Sequence, residues 1–172
     1  SLGYQWSIPI NTTYNGNPVS MSVAARTFDG ILLRTAPTLS TQISAGWSVE
    51  AAYDARTGEK LWGPINRTIP LYGDIALLAA GEGYYVTHNK DTNEAYGFNI
   101  KTGNQVWGPV KLEGSALSTL SRGGAIAYGK VYIWDFGGYV NAIDLATGEI
   151  AWTYQPRQAG YNTPYGIYPF WH

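Results

Sequence analysis

The chain has 172 residues, of which 45% are hydrophobic and 15% aromatic, while only 13% are charged and the formal net charge is −1. This nearly neutral, charge-poor composition excludes an electrostatic nucleic-acid partner, and the absence of cysteine excludes disulfides, thiolate catalysis and cysteine-ligated zinc within these residues. No run of 18 apolar residues occurs, so the sequence contains no membrane-spanning helix.

Short strands separated by turns are predicted along the whole chain. Tyrosine, tryptophan, threonine and glycine are plentiful, which favours strands and turns over helices. No segment has a sustained 3.6-residue apolar period. In chain order, the predicted strands cover residues 3–10, 20–25, 31–34, 49–53, 74–78, 84–87, 124–127, 131–134, 140–143 and 165–170.

A six-residue motif occurs three times at a spacing of 45 residues. The copies are Thr57-Gly58-Glu59-Lys60-Leu61-Trp62, Thr102-Gly103-Asn104-Gln105-Val106-Trp107 and Thr147-Gly148-Glu149-Ile150-Ala151-Trp152. An acid or amide precedes each threonine by three residues, at Asp54, Asn99 and Asp144. Repetition at a fixed period of this length is the signature of a repeat architecture.

Each copy of the motif predicts a hairpin turn. The Asp or Asn side chain can accept backbone N–H bonds from residues two and three positions on. Gly58, Gly103 and Gly148 then supply the positive φ that such a turn needs. A carboxylate that served one active site or one calcium ion would have no reason to recur with the turn, so Asp54 and Asp144 are assigned structural roles.

Four short strands in each period match one blade of a β-propeller. The predicted fold is therefore all-β, a β-propeller of four-stranded antiparallel blades. We expect full blades over about 20–66, 67–112 and 113–158, and partial blades over 1–19, with Trp6 in a docking position, and 159–172. The outermost strands should end near the motif tryptophans, which should be buried between blades. Three blades cannot close a ring, so an incomplete ring is expected, with further blades supplied by a longer chain or by other copies.

Residues 52–62 and 137–152 resemble the tryptophan-docking motif of quinoprotein-like propellers, the PQQ-repeat family. The middle copy departs from that motif, with Gly97 where the family has Ala and Asn99 where it has Asp. The resemblance implies an eight-bladed ring in which each motif tryptophan packs between neighbouring blades. Residues 161–166 are similar to secreted archaeal members, which implies a secreted prokaryotic protein.

The same resemblance leaves two classes of function open, because the family contains PQQ-dependent dehydrogenases as well as non-enzymatic scaffolds. The dehydrogenases it resembles need a vicinal cysteine pair or its equivalent, a Trp that stacks on the quinone, a calcium site of Glu, Asn and Asp, and a catalytic Asp. The cysteine pair is absent and no acidic cluster occurs outside the turns. We therefore expect no catalytic, cofactor-binding or metal-binding residues here, with PQQ and calcium as the alternative. The favoured function is an extracellular or cell-surface scaffold; the alternatives are part of a PQQ-dependent dehydrogenase and a subunit of a surface filament.

Other polar features are predicted to lie in loops. His88 is expected in a solvated turn, and His172 ends the sequence. The longer loops, over residues 37–47, 88–94 and 155–163, are the candidate recognition surfaces. Two glycosylation sequons, at Asn11 and Asn66, also fall in predicted loops, where glycans would fit.

The expected partners are proteins or the remaining blades of a longer chain. The first and last predicted strands are aromatic and apolar, and an exposed strand edge of that kind invites pairing. Homo-assembly through strand edges is the alternative route to completed blades.

Overall fold

The computed structural model describes residues 6–10, 13–34, 46–69, 75–114, 122–135 and 138–155. No helix occurs among them, and so none that could cross a membrane. The strands are β1 (Thr13–Tyr14), β2 (Asn17–Pro18), β3 (Ser22–Arg26), β4 (Ile31–Arg34), β5 (Gly46–Tyr53), β6 (Lys60–Ile69), β7 (Ile75–Gly81), β8 (Tyr84–Asn89), β9 (Glu94–Asn99), β10 (Gln105–Lys111), β11 (Arg122–Ala127), β12 (Lys130–Asp135), β13 (Val140–Asp144) and β14 (Ile150–Tyr154).

These strands form one small hairpin and three four-stranded sheets. β1 pairs with β2, and each larger sheet is an antiparallel series of strands consecutive in sequence. Sheet 1 contains β3 to β6, sheet 2 contains β7 to β10, and sheet 3 contains β11 to β14. β7 packs beside both β3 and β11, so the first strand of each sheet lies next to that of its neighbour. This arrangement is an incomplete propeller, as predicted.

The repeated turns are held by side-chain oxygens. In the first turn, Asp54 Oδ1 accepts hydrogen bonds from the backbone N–H groups of Arg56 at 2.8 Å and Thr57 at 3.0 Å. Asn99 and Asp144 accept the equivalent pairs in the other two turns, at 2.8–3.1 Å. The turn glycines have φ angles of 77°, 72° and 78° at Gly58, Gly103 and Gly148. The carboxylates of both acidic turns are therefore engaged by backbone.

Three tryptophans dock on the turns of sheets 1, 2 and 3. The indole nitrogen donates to a backbone carbonyl oxygen in three places: Trp6 to Ala55 at 3.0 Å, Trp62 to Ile100 at 2.7 Å, and Trp107 to Leu145 at 2.8 Å. The acceptors recur at a spacing of 45 residues, and each directly follows the Asp or Asn that caps its turn. Each ring also covers the turn glycine, since a Cβ on Gly103 would lie 2.7 Å from Trp62 Cδ2. Glycine is thus required by contact as well as by φ.

Several details of the sequence-based prediction were wrong. Each motif tryptophan is the third residue of its outermost strand. β6 and β10 continue to Ile69 and Lys111 and so do not end near Trp62 and Trp107, whereas β14 ends at Tyr154, close to Trp152 as predicted. Trp152 is 47% exposed, because no fourth sheet among the described residues offers it a turn. Residues 6–10 form no strand, and Trp6 docks from an irregular segment. The predicted strand over 165–170 lies outside the described residues.

Close packing explains the departure of the middle copy from the family motif. Ala52 and Ala142 lie opposite Trp62 and Trp152 in sheets 1 and 3, and Gly97 lies opposite Trp107 in sheet 2. The ring of Trp107 covers Gly97 so closely that an added Cβ would overlap it. The Gly is therefore a packing requirement of this blade.

A candidate binding cleft between the first two sheets

A cleft of about 400 Å³ opens between sheets 1 and 2. It is mixed in character, with amide, hydroxyl, aromatic and charged side chains. Sheet 1 contributes Glu50, Asn66, Arg67 and Thr68, and sheet 2 contributes Thr87, Asn89, Tyr96, Phe98 and Gln105, with Ile75 at the start of β7. Its volume falls in the range of roughly 300–1,000 Å³ that small-molecule sites occupy.

Arg67 is the centre of a hydrogen-bonded network in the wall of this cleft. Its Nε donates to Glu50 Oε2 at 3.1 Å, and its Nη2 donates to the hydroxyl of Tyr85 at 3.1 Å and to the carbonyl oxygen of Gly103 at 2.6 Å. The Tyr85 hydroxyl in turn donates to Glu50 Oε2 at 3.0 Å. The guanidinium carbon lies 4.7 Å from the centre of the Phe98 ring, a cation–π contact. The network joins the two sheets.

Burial keeps the Tyr85 hydroxyl of this network protonated. Tyr85 is fully buried, Glu50 is 2% exposed and the Arg67 side chain is 27% exposed. Desolvation, followed by the negative charge of Glu50, raises the pKa of Tyr85 far above its usual value. Tyr85 therefore remains a protonated donor. With Arg67 bound to both Glu50 and Tyr85, the network ties β5, β6 and β8 together.

The repeat supplies a direct comparison for the network. The equivalent positions at the interface of sheets 2 and 3 are Ala95, Leu112 and Val131, all buried in one apolar cluster with Trp107. Glu50 and Ala95 have matching registers, opposite Ile65 and Val110 respectively. The first interface is thus polar at positions where the second is apolar.

A second surface is formed by the turns between the first two strands of each sheet. Phe28 in the β3–β4 turn is 98% exposed, and Tyr128 in the β11–β12 turn is 89% exposed. Between them lies Glu82, whose carboxylate accepts a 2.8 Å hydrogen bond from the backbone N–H of Gly129. We call Phe28, Glu82 and Tyr128 the inner-turn face. It carries the two most exposed large hydrophobic side chains among the described residues.

Two polar residues lie elsewhere than the sequence predicted. His88 is fully buried near the end of β8, with its Nε2 3.1 Å from Asn93 Oδ1, and is not in a solvated turn. The alternation of β8 continues to Asn89, so the predicted loop over 88–94 is shortened to residues 90–93. Asn66 is exposed as predicted, but it lies within β6. Asn11, His172 and most of the other two predicted recognition loops lie outside the described residues.

Sequence reasoning missed the network and the inner-turn face. Phe28 was seen only as part of a turn, and Tyr128 likewise. A signal for the network was nevertheless present in the repeat. Aligning the copies on their tryptophans places Glu50 against Ala95 and Arg67 against Leu112, two charges where a sister blade has apolar residues.

Comparisons with known proteins agree with this architecture. The family model described as outer membrane protein assembly factor BamB, a PQQ-like repeat family, matches residues 51–165. The chain belongs to the PQQ-repeat propeller family. Quinohemoprotein alcohol dehydrogenases of Comamonas testosteroni and Pseudomonas putida are 26% and 22% identical over 88% and 96% of this chain. The chain spans only 21% and 24% of their lengths.

A solved propeller of the PQQ-repeat family also superposes on the chain. The crystal structure of BamB from Moraxella catarrhalis is 17% identical and has a TM-score of 0.48, with 84% of this chain and 36% of that chain covered.

The dehydrogenases of the PQQ-repeat family raise the question of a quinone site with calcium. Within the described ranges, no three His, Cys, Asp or Glu side chains are grouped so as to hold one metal ion. Among the described residues that line the cleft between sheets 1 and 2, Glu50 is the one carboxylate, and its Oε2 already accepts bonds from Arg67 and Tyr85. The described residues therefore do not fit a calcium-assisted quinone site.

Proposed function

We propose that this chain is part of a non-enzymatic propeller that binds protein partners and acts as a scaffold for their assembly. We place it outside the cell or at the cell surface. The low charge, the abundance of threonine and tyrosine and the exposed sequon at Asn66 support that location.

The observation that carries the proposal is the inner-turn face. Phe28 and Tyr128 project almost fully into solvent from turns at the same end of sheets 1 and 3, which flank sheet 2. Leaving aromatic rings in water is unfavourable, and aromatic side chains are the commonest anchors of protein interfaces. Glu82, held by Gly129, adds a fixed acceptor between them. Two aromatic anchors around a polar group suit a protein surface better than a small substrate.

The ionisable groups elsewhere support binding over catalysis. Asp54 and Asp144 cap turns, and backbone N–H donors hold the pKa of both carboxyls below the usual value. Glu50 is bound to Arg67, and Tyr85 is held protonated. The family description, an assembly factor for outer membrane proteins, points in the same direction.

Site-specific photo-cross-linking in the natural full-length protein tests the proposal. A photoreactive phenylalanine analogue is placed at Phe28 or Tyr128, and at Val106, which is 43% exposed on an outermost strand, as the control. We expect one discrete protein adduct from positions 28 and 128 in the native cells, and none from 106. Adducts of equal yield at all three positions, or at none, would contradict the proposal.

The relatives that are alcohol dehydrogenases make a quinone enzyme the specific alternative. The other alternative is that the protein is a subunit of a filament. In that case the adducts at positions 28 and 128 should contain a second copy of this chain. Mass spectrometry of the adduct separates a self-adduct from one with a different protein.

A further inference from the structure

The two inter-sheet interfaces use equivalent positions for opposite purposes. At the second interface Ala95, Leu112 and Val131 are buried in the apolar cluster around Trp107. At the first, Glu50, Arg67 and Tyr85 are at those positions, and a cleft opens beside them. Because the same chain builds an apolar interface with this backbone, the propeller fold does not need the polar one. The network and the cleft therefore call for a function of their own.

We propose that this cleft binds a neutral saccharide, which is a second function beyond protein binding at the inner-turn face. The charges of the described lining favour an uncharged ligand. Among the described residues that line the cleft, Glu50 and Arg67 are the acidic and basic side chains, and they form a 3.1 Å ion pair. A charged ligand would have to compete with that pair or be buried without a counter-ion, which is unfavourable.

The uncharged lining groups suit a ligand that is rich in hydroxyls. Gln105 uses its Nε2 to donate to Gly108 at 2.8 Å, which leaves its Oε1 as an acceptor. Within the described part of the chain, Nη1 of Arg67 makes no hydrogen bond, so it remains a donor at the cleft. Asn66 and Thr68 are exposed at the rim and can both donate and accept. Sugar hydroxyls need both kinds of partner on closely spaced groups.

The apolar lining suits the carbon face of a sugar ring. Tyr96 is half-buried and its hydroxyl already donates to Glu94 Oε2 at 3.0 Å, so the tyrosine contributes mainly its ring to the cleft. Ile75 lies half-buried at the start of β7. A ligand with an apolar face and polar edges can fill both parts of the lining, as ligand pockets with few placed polar groups do.

Two sources could supply such a saccharide. Asn66 is the acceptor of a sequon and itself lines the cleft, so a glycan attached there would begin at its rim. A free or partner-borne glycan is the other source. Mass spectrometry of the natural protein at Asn66 distinguishes the two, whereas binding is measured on protein produced without N-glycosylation, in which the cleft is not occupied by its own glycan.

The test compares three forms of the full-length protein on an array of neutral and acidic oligosaccharides. The first is the wild type. The second carries Glu50→Ala, Arg67→Leu and Tyr85→Val together, the residues that the sister interface already accommodates. The third carries Gln105→Trp, which fills the exposed rim and leaves the buried network intact, so it remains informative if the triple variant does not fold.

We expect the wild type to bind neutral oligosaccharides, with affinity at least about tenfold weaker in both variants, as the loss of two or three hydrogen bonds implies. Binding restricted to acidic glycans, binding unchanged in the variants, or no binding by the wild type would each overturn the proposal. A photo-cross-link from position 105 to a protein, with no glycan bound, would make the cleft a protein site instead. Cross-linking at positions 28 and 128 is read separately, so failure here leaves the inner-turn face untouched.

Discussion

The indole nitrogen of Trp107 donates a 2.8 Å hydrogen bond to the carbonyl oxygen of Leu145, which fastens sheet 2 to the turn region of sheet 3. Trp107 is only 6% exposed. We therefore expect Trp107→Ala to lower the free energy of unfolding by about 3–5 kcal/mol in urea titrations. Val106→Ala, one residue away and 43% exposed, should change it by roughly 0.5 kcal/mol or less. Equal losses in the two variants would contradict the docking role.

The contact between Trp62 and Gly103 can be separated from the backbone requirement of the turn. Gly103 and Gly129 have almost the same φ, 72° and 71°, but only Gly103 is covered by an indole ring. Gly129→Ala should cost about 1–2 kcal/mol for the left-handed backbone alone. Gly103→Ala should cost about 1–3 kcal/mol more, because the Trp62 ring must move. Thermal and urea unfolding of both variants checks this, and an equal cost would show that the ring is not in contact.

The hairpin turns of the three blades could be predicted from the sequence because their motif repeats. The sequence contains three copies of the turn residues and the tryptophan at a fixed spacing, which predicts three blades. Local hydrogen bonding and the conformation of glycine then determine each hairpin. What could not be predicted depends on contacts between copies. The exposure of Trp152 depends on which sheet lies beside it, and Glu50 and Arg67 of sheet 1 meet Tyr85 only after sheets 1 and 2 have packed.

The turn capped by Asn99 predicts the effect of removing the negative charge from the turn capped by Asp144. Asn99 makes with an amide oxygen the same two bonds that Asp144 makes with a carboxylate. Asp144→Asn should therefore fold with a melting temperature near that of the wild type at neutral pH. If the melting temperature falls sharply there, the negative charge itself holds the turn.

The same variant should differ from the wild type in acid. Backbone N–H groups of Thr147 and Ala146 hold the pKa of Asp144 below its usual value. A lowered folded-state pKa means that the stabilisation is present above the unfolded pKa of about 3.9 and is lost as the pH falls through the folded one. Below about pH 4 the wild type should lose stability more steeply than Asp144→Asn. Parallel pH profiles of the two melting temperatures would contradict this.

Breaking the buried network at one residue should lower the free energy of unfolding, whereas replacing all three of its residues together should not. Arg67→Leu removes the ion pair that Arg67 makes with the buried carboxylate of Glu50, and should lower the free energy of unfolding by about 3–5 kcal/mol. The triple variant with Ala, Leu and Val at positions 50, 67 and 85 removes both charges and the hydroxyl. It should be as stable as the wild type or more stable by about 1–4 kcal/mol. If the triple variant proves less stable than Arg67→Leu in urea unfolding, the network would be a requirement of the fold.

A scaffold and a quinone enzyme of this family differ most directly in whether they retain bound PQQ. In this test the natural full-length protein is incubated with PQQ and calcium and then passed through gel filtration. Two properties of the protein peak are measured: its quinone absorbance and its dye-linked alcohol dehydrogenase activity. A binding protein should emerge without quinone absorbance and without activity, in keeping with carboxylates that are engaged in turns and in the Arg67 network. Stoichiometric retention of PQQ together with dehydrogenase activity would contradict the proposed function.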